Sequence, residues 1–163
     1  MTRQEATEFY RSHSKAVYNT ALRIVRDPEE AEEIMQDTFM KFFTKGVPEL
    51  SEARKAAWLR TTCIRMGIDL LRRRKKGLEL VVDRMPDEAE EEADLPEGID
   101  VMRIRSAMER LPHPYSLILD LRLIEGRDYA GIARMTGQKE VTLRSWYSRG
   151  RAKLIKELKT QAI

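Results

Sequence analysis

The feature that most constrains the fold of this chain is the segregation of charge along it. Residues 78–100 carry ten acidic residues and one basic residue, a net charge of −9, and include Pro86 and Pro96. The flanks are basic, with a net charge of +5 over residues 1–77 and +7 over residues 101–163. An acidic segment poor in aromatic residues buries too little apolar surface to offset its chain entropy. The sequence therefore predicts two small basic domains joined by a flexible acidic linker.

The spacing of apolar residues in both flanks indicates the fold class. Apolar side chains recur at three- and four-residue steps, and we find no alternating apolar and polar run bounded by turn residues. Apolar residues make up 42% of the chain and charged residues 35%, a balance that suits short amphipathic helices in small bundles. The predicted fold class is all-α.

Cysteine usage and hydropathy constrain the compartment. The single cysteine, Cys63, excludes an internal disulfide and a cysteine-rich zinc site, and its surroundings predict a buried thiol in the middle of a helix. The sequence has neither a continuous apolar stretch at its N-terminus nor a segment long enough to span a membrane. We expect a soluble, cytoplasmic protein without membrane insertion.

Start signals in the first flank predict three helices. Thr2 and Glu5 have the spacing of a capping box, and Asp27 precedes a proline as an N-cap should. Ser51 is predicted to cap a third helix, which carries Trp58 toward the core and ends in a basic run, Arg72–Lys76, before Gly77.

The second flank predicts four helices. The first carries Met102, Ala107, Met108 and Leu111 inward, and the second carries Leu117, Ile118, Leu121 and Ile124. A short helix follows, capped by Asp128 and ended by Gly137. The last runs from Lys139 to Leu158, with Leu143, Tyr147, Leu154 and Leu158 predicted to face inward.

The last two helices have the order of a helix-turn-helix. A short helix, a three-residue turn around Gly137 and a longer second helix are typical of this motif, in which the second helix enters the major groove. After Lys139 this helix bears six basic residues and only two acidic ones. Arginine binds guanine edges and phosphates through two parallel hydrogen bonds. The sequence therefore predicts duplex DNA binding by the N-terminal part of this helix, which offers Lys139, Thr142, Arg144, Ser145, Arg149 and Arg151.

Both flanks resemble one protein family. Residues 108–112, 121–133 and 142–154 resemble the C-terminal domain of the sigma factors called extracytoplasmic-function sigma factors. Residues 27–39 resemble the polymerase-docking helix of that family, and residues 57–74 resemble its promoter-melting helix. The resemblance implies an alternative sigma factor, which lends promoter recognition and DNA opening to core RNA polymerase. It also implies three parts: a region 2-like domain (1–77), an acidic linker (78–100) and a region 4-like domain (101–163).

The resemblance assigns roles to particular residues. The positions that match the polymerase-docking surface are Glu32, Gln36, Asp37 and Thr38. In the melting helix, the arginines suited to follow phosphates are Arg60, Arg65, Arg72, Arg73 and Arg74. The positions that match contacts to the −35 element are Arg122, Arg144, Ser145 and Arg149. The implied partners are core RNA polymerase and promoter DNA, and small sigma factors are usually held inactive by an anti-sigma factor, which the sequence does not identify.

The second domain departs from the family pattern in two places. In the turn, Gln138 and Val141 replace the usual aliphatic and small residues, and we expect the promoter preference to differ there. In the last helix, Trp146 and Ser148 replace commoner basic and aromatic residues, and Gly150 replaces alanine at a cost of about 1 kcal/mol in helix propensity.

Two other function classes are weighed against a sigma factor. A free-standing DNA-binding regulator would use only the second domain and would leave the motifs of the first unexplained. A nuclease would need a cluster of carboxylates or histidines. His13 and His113 are far apart in the sequence, and the acids lie in a helix start and the linker. We therefore expect no catalysis, metal or cofactor.

Overall fold

The computed structural model describes residues 1–45, 50–74 and 97–161. Within these ranges the regular secondary structure is helical, without a strand. The chain divides into two compact units, Met1–Arg73 and Arg74–Ile163. The predictions of an all-α fold and of two helical domains are confirmed. The predicted acidic linker, 78–100, lies outside the described residues except for 97–100.

Three helices build the first unit: α1 (Arg3–Val25), α2 (Pro28–Lys45) and α3 (Glu52–Arg73). All three predicted caps are confirmed by a backbone N–H that donates to the capping side chain. The bonds run from Glu5 N to Thr2 Oγ1 (3.1 Å), from Glu30 N to Asp27 Oδ1 (3.1 Å) and from Arg54 N to Ser51 Oγ (3.3 Å). The last part of the predicted basic run, from Lys75 to Gly77, lies outside the described residues.

The core of the first unit is rich in aromatic side chains, and all three helices pack against one another. The Phe9 and Phe42 rings stack with their centroids 4.6 Å apart. The Trp58 ring meets Phe42 edge-on at 5.5 Å, which confirms the predicted core role of this half-buried tryptophan. Cys63 is fully buried, and its thiol donates to the Val17 carbonyl oxygen at 3.4 Å. The predicted buried thiol is therefore confirmed.

Close packing of α3 against α1 depends on Gly67. A Cβ added at Gly67 would lie 2.8 Å from Ile24 Cγ2, closer than packed carbon atoms come. We expect Gly67→Ala to destabilise the first unit, because overpacking a core costs about 1–3 kcal/mol and exceeds the ~1 kcal/mol that alanine gains in helix propensity. Urea unfolding of the full chain, followed by circular dichroism, measures the loss. Adding Ile24→Ala removes the clashing methyl group, so the double variant should lose less than the sum of the two single losses. Additive losses would contradict this account.

The second unit contains α4 (Val101–Glu109), α5 (His113–Leu119), α6 (Tyr129–Thr136) and α7 (Glu140–Gln161). Asp100 caps α4 by accepting a hydrogen bond from Arg103 N at 2.8 Å. The predicted second helix of this unit does not stay α-helical to Ile124: Asp120–Ile124 forms a π-helical turn, in which Glu125 N donates to the Asp120 carbonyl at 2.9 Å. Arg122 therefore stands on a widened turn that the periodicity of the sequence did not predict.

The core of the second unit centres on α5. Every residue from Pro114 to Leu121 is buried, and α5 packs on α7, which α4 and α6 also contact. The prediction that Met102 faces the core is wrong, since this side chain is 74% exposed. Ala107 and Met108 are the buried residues of α4, so the contribution of this helix to the core comes from its second half.

The hydropathy of the helices was compared with that of membrane spans. Among residues 1–45, 50–74 and 97–161, no helix combines the length and the apolar character needed to cross a bilayer.

Candidate nucleic-acid interface

The turn between α6 and α7 is closed by local hydrogen bonds. Asp128 Oδ1 accepts from Gly131 N at 2.7 Å and caps α6. Gly137 ends α6 in the left-handed conformation (φ 75°), which glycine adopts without steric cost, and its N–H donates to the Ala133 carbonyl at 2.9 Å. The N–H of Gln138 donates to Thr136 Oγ1 at 3.2 Å. The predicted cap, turn and helix-turn-helix order are confirmed, and the unusual Gln138 leaves the turn closed.

The inward face of α7 differs from the predicted one. Leu143, Leu154 and Leu158 are buried as predicted, but Trp146, which is 2% exposed, is buried in place of Tyr147, and Ile155 is buried as well. Tyr147 is half-buried and meets the Tyr129 ring edge-on, with the centroids 6.2 Å apart. Burial of a tryptophan removes more apolar surface from water than burial of a tyrosine. This difference is the sequence signal that could have placed Trp146 rather than Tyr147 on the buried face of α7.

Gly150 allows α5 and α7 to approach each other. A Cβ at this position would lie 3.1 Å from Tyr115 Cβ and 3.4 Å from Leu119 Cδ1. The sequence indicated this glycine only as a cost in helix propensity. In the structure it lies where α5 and α7 are too close to leave much room for a side chain.

An arginine–tyrosine cluster lies beside the turn, formed by Arg122, Tyr129, Arg144 and Tyr147. The guanidinium carbons of Arg122 and Arg144 each lie 4.4 Å from the centroid of the Tyr129 ring, within cation–π distance. Arg122 Nη1 also donates to the Arg127 carbonyl at 3.1 Å, and Arg144 Nη2 lies 3.8 Å from Glu140 Oε1. The π-helical turn, α6 and α7 thus converge on one ring and bring two of the predicted DNA-contacting arginines together.

The remaining predicted residues of the second unit differ in accessibility. Lys139 and Arg144 are exposed, and Thr142, Ser145 and Arg122 are half-buried. Arg149 is only 9% exposed, so its side chain is largely withdrawn from the surface on which a DNA duplex would lie. The predicted DNA contact of Arg149 would therefore use the small exposed part of its side chain.

The predicted arginines of α3 are all exposed, but they do not share one face. Arg65 and Arg72 are seven residues apart and lie nearly in line along the helix, whereas Arg60 lies about 140° away from Arg65 around the helix axis. Arg73 follows in the last turn, where its charge also complements the helix dipole. Arg65 and Arg72 are therefore the two arginines of this set that line up along the helix axis.

The predicted docking residues of α2 separate into three exposed side chains and one buried one. Glu32, Gln36 and Asp37 are exposed, and Gln36 Nε2 lies 3.5 Å from Glu32 Oε1. Thr38 is fully buried; its hydroxyl donates to the Ile34 carbonyl at 2.7 Å and lies 3.6 Å from Met66 Sδ. Because Thr38 is held inside the bundle, its predicted direct contact with a partner requires correction.

Two exposed apolar side chains of α2 were not predicted as surface residues. Met40 and Phe43 follow Gln36 at four- and seven-residue spacing, and both are exposed. The acidic and amide face of α2 thus continues into an apolar patch. The apolar spacing in this part of the sequence was attributed to the core alone.

A nuclease would need clustered carboxylates or histidines. Among residues 1–45, 50–74 and 97–161, no group of three or more histidine, cysteine, aspartate or glutamate residues is placed to hold a metal ion. The His13 ring packs against Phe9 with the centroids 4.6 Å apart and the ring planes tilted by 49°, and its Nε2 lies 3.8 Å from Glu52 Oε2.

Comparison with known families matches both units. Residues 9–77 match the model of sigma-70 region 2, and residues 101–154 match that of sigma-70 region 4. The first match spans most of α1, all of α2 and all of α3. The second runs from the start of α4 into α7.

Individual relatives agree with these family matches. The chain is 29% identical over 155 residues to the ECF RNA polymerase sigma factor SigE of Mycolicibacterium smegmatis, covering 90% of this chain and 59% of that protein. It is 26% identical over 151 residues to SigM of Mycobacterium tuberculosis, covering 93% and 76%. Among solved structures, the fold is similar to that of the sigma factor RpoE of Bartonella quintana, determined in complex with the anti-sigma factor NepR. That likeness has a TM-score of 0.55 and 20% identity over 96% of this chain and 98% of that one. With regions 2 and 4 matched in this order, the chain belongs to the sigma-70 family, and the two relatives named above are extracytoplasmic-function sigma factors to which it is similar.

Proposed function

We propose that this chain acts as an alternative sigma factor, which binds core RNA polymerase, recognises promoters and assists DNA opening. The observation that carries the proposal is the order of its two helical units. A region 2 match with an exposed acidic face on α2 precedes a region 4 match with a closed helix-turn-helix. Sigma factors are transcription initiation factors, so bond formation belongs to the polymerase and this chain supplies binding and positioning. Its place of action is the cytoplasm, where polymerase and promoters meet.

In this proposal, α2 docks on the polymerase. Glu32, Gln36 and Asp37 present acceptor oxygens to a basic partner surface, and the exposed Met40 and Phe43 add apolar contact beside them. A charged rim steers association, whereas apolar anchors contribute most of the affinity of an interface.

In this proposal, α3 contacts the −10 element. Arg65 and Arg72 follow the phosphates of the separated strand, and Arg60 and Arg73 contact it from either side. A base extruded from the stack needs a pocket, for which the resemblance points to residues 44–54; of these, 44–45 end α2, 52–54 begin α3 and 46–49 lie outside the described chain. Trp58 is engaged with Phe42 and serves the core instead.

In this proposal, α7 binds the −35 element. The helix enters the major groove with its N-terminal turns, as second helices of this motif do. Lys139, Arg144 and Arg122 bind phosphates or guanine edges, and Thr142 and Ser145 add hydroxyl groups. Phosphate contacts of this kind make the affinity fall steeply with salt.

Two further parts of the proposal concern organisation and control. We propose the domain limits 1–77 and 101–163, with residues 78–100 as an acidic linker that either stays away from DNA by repulsion or imitates nucleic acid inside the polymerase channel. An anti-sigma factor is the proposed regulator, by analogy with the Bartonella quintana RpoE, whose structure contains the anti-sigma factor NepR.

The proposal is tested by transcription from genomic DNA with purified core polymerase, with and without the full chain. We expect transcripts from a defined set of promoters only when the chain is present, and mapping their start sites yields the −10 and −35 elements. Specific binding of duplex DNA without polymerase, together with no binding to core polymerase, would instead support a free-standing regulator.

A further inference from the structure

The chemistry of α7 includes one side chain that the proposed DNA contacts leave unused. Val141 is 78% exposed and stands in the first turn of the helix. A single exposed apolar residue is ordinary on a protein surface, but the position of Val141 is not. The first turns of the second helix in this motif are the part that reaches the base edges.

The helix geometry places Val141 on the outward face. Leu143 and Trp146, which point into the core, lie about 200° and 140° away from it around the helix axis. Arg144 and Ser145 lie within about 60° of it. Val141 thus shares its face with the side chains proposed to bind DNA and turns away from those that hold the unit together.

The chemistry of the major groove offers this side chain one kind of partner. Among the groups that base pairs expose there, the C5-methyl group of thymine is the apolar one, and apolar side chains recognise it by contact. Valine has no donor or acceptor with which to read the other groups. Its branched side chain is also stiff, so it presents its methyl groups in a defined direction.

We propose that Val141 is a specificity-determining residue that contacts the C5-methyl group of one thymine in the −35 element. The inference rests on the proposed function, because it requires α7 to lie in the major groove. Burial of one methyl-sized group between Val141 and thymine favours that base over uracil, which lacks the methyl group, by about fourfold in affinity.

The test replaces each thymine of a mapped −35 element, on both strands, by deoxyuridine, one position at a time. Holoenzyme made from the full chain and core polymerase is titrated with each duplex. We expect one substitution to weaken binding about fourfold, and we expect this sensitivity to vanish with Val141→Ala. Met102→Ala, which removes an equally exposed apolar side chain from α4, should retain it.

Three results would overturn the proposal: a −35 element without thymine, wild-type holoenzyme indifferent to every deoxyuridine, or a sensitivity that persists in Val141→Ala. Failure of the proposed function would look different. In that case, replacing the whole −35 element would leave holoenzyme binding unchanged, or no holoenzyme would form, and the inference would fall with it. Thermal unfolding of each variant checks that the second unit remains folded.

Discussion

Replacing Trp146 by alanine is expected to unfold most of the second unit at 37 °C. Trp146 is among the largest fully buried side chains of the chain, and truncation of such a side chain costs about 3–5 kcal/mol. A unit of this size is stable by only roughly 0.05–0.15 kcal/mol per residue, so the loss is comparable to its whole stability. The unit that presents α7 to DNA would be lost with it.

The chain itself provides the means to measure this effect. It contains two tryptophans, so the fluorescence of the Trp146→Ala variant reports on Trp58 and the first unit alone. We expect that signal to unfold as in the wild type, while circular dichroism shows the loss of helix from the second unit. Ser148→Ala, at an exposed position two residues along α7, is the matched control and should leave both signals unchanged. A Trp146→Ala variant that melts like the control would refute the inward placement of this side chain.

Reversing the charge of the α2 face should strongly weaken binding to core polymerase. We expect Glu32→Lys combined with Asp37→Lys to weaken the affinity by about 100-fold or more, because like charges placed against a complementary surface cost several kcal/mol. Both side chains are exposed, so the fold should change in stability by little more than about 0.5 kcal/mol. Anisotropy of the fluorescently labelled full chain, titrated with core polymerase, measures the affinity.

A control for this prediction lies on α1. Glu8→Lys reverses one charge at an exposed position of the same unit, and its comparison with Glu32→Lys alone, which makes the same change in charge, separates a local effect from one of net charge. We expect Glu8→Lys to reduce binding no more than a few-fold, and less at high salt. If both variants weaken binding equally, or if neither does, the docking surface lies elsewhere on the chain.

The helix boundaries were predictable because their causes are local. A cap involves a side chain and an amide three residues away, as at Thr2 and Asp27, and a left-handed glycine such as Gly137 ends a helix by its own conformation. The sequence contains both partners of each such interaction within a few residues. The helix-turn-helix followed from these signals and from the basic composition of α7.

The features that sequence reasoning missed depend on contacts between helices. Whether Trp146 or Tyr147 faces the core is decided by the helices that pack against α7, and both choices fit the helical period. The burial of Arg149 is likewise a property of the packed unit that its own sequence position does not indicate. The widened turn at Asp120–Ile124 has no sequence signal that periodicity detects.

In the candidate site too, residue type was predictable from the sequence, whereas accessibility was not. A matched motif assigned Thr38 to a binding surface by its position alone, yet its hydroxyl is taken up by its own helix. Exposed β-branched and apolar side chains, such as Val141, were recognised as departures from a pattern but not as surface features. A residue type at a motif position predicts chemistry, whereas its accessibility is a property of the packed structure.

The arginine–tyrosine cluster has a consequence for the thermodynamics of promoter binding. A flexible side chain that becomes immobilised in an interface loses about 0.5–1.5 kcal/mol of conformational entropy. Arg122 and Arg144 already lie against the Tyr129 ring in the free protein, so part of their rotational freedom is removed when the chain folds. In the proposed recognition of the −35 element, association would then begin from preorganised side chains, with a smaller entropic penalty than two freely rotating arginines would carry.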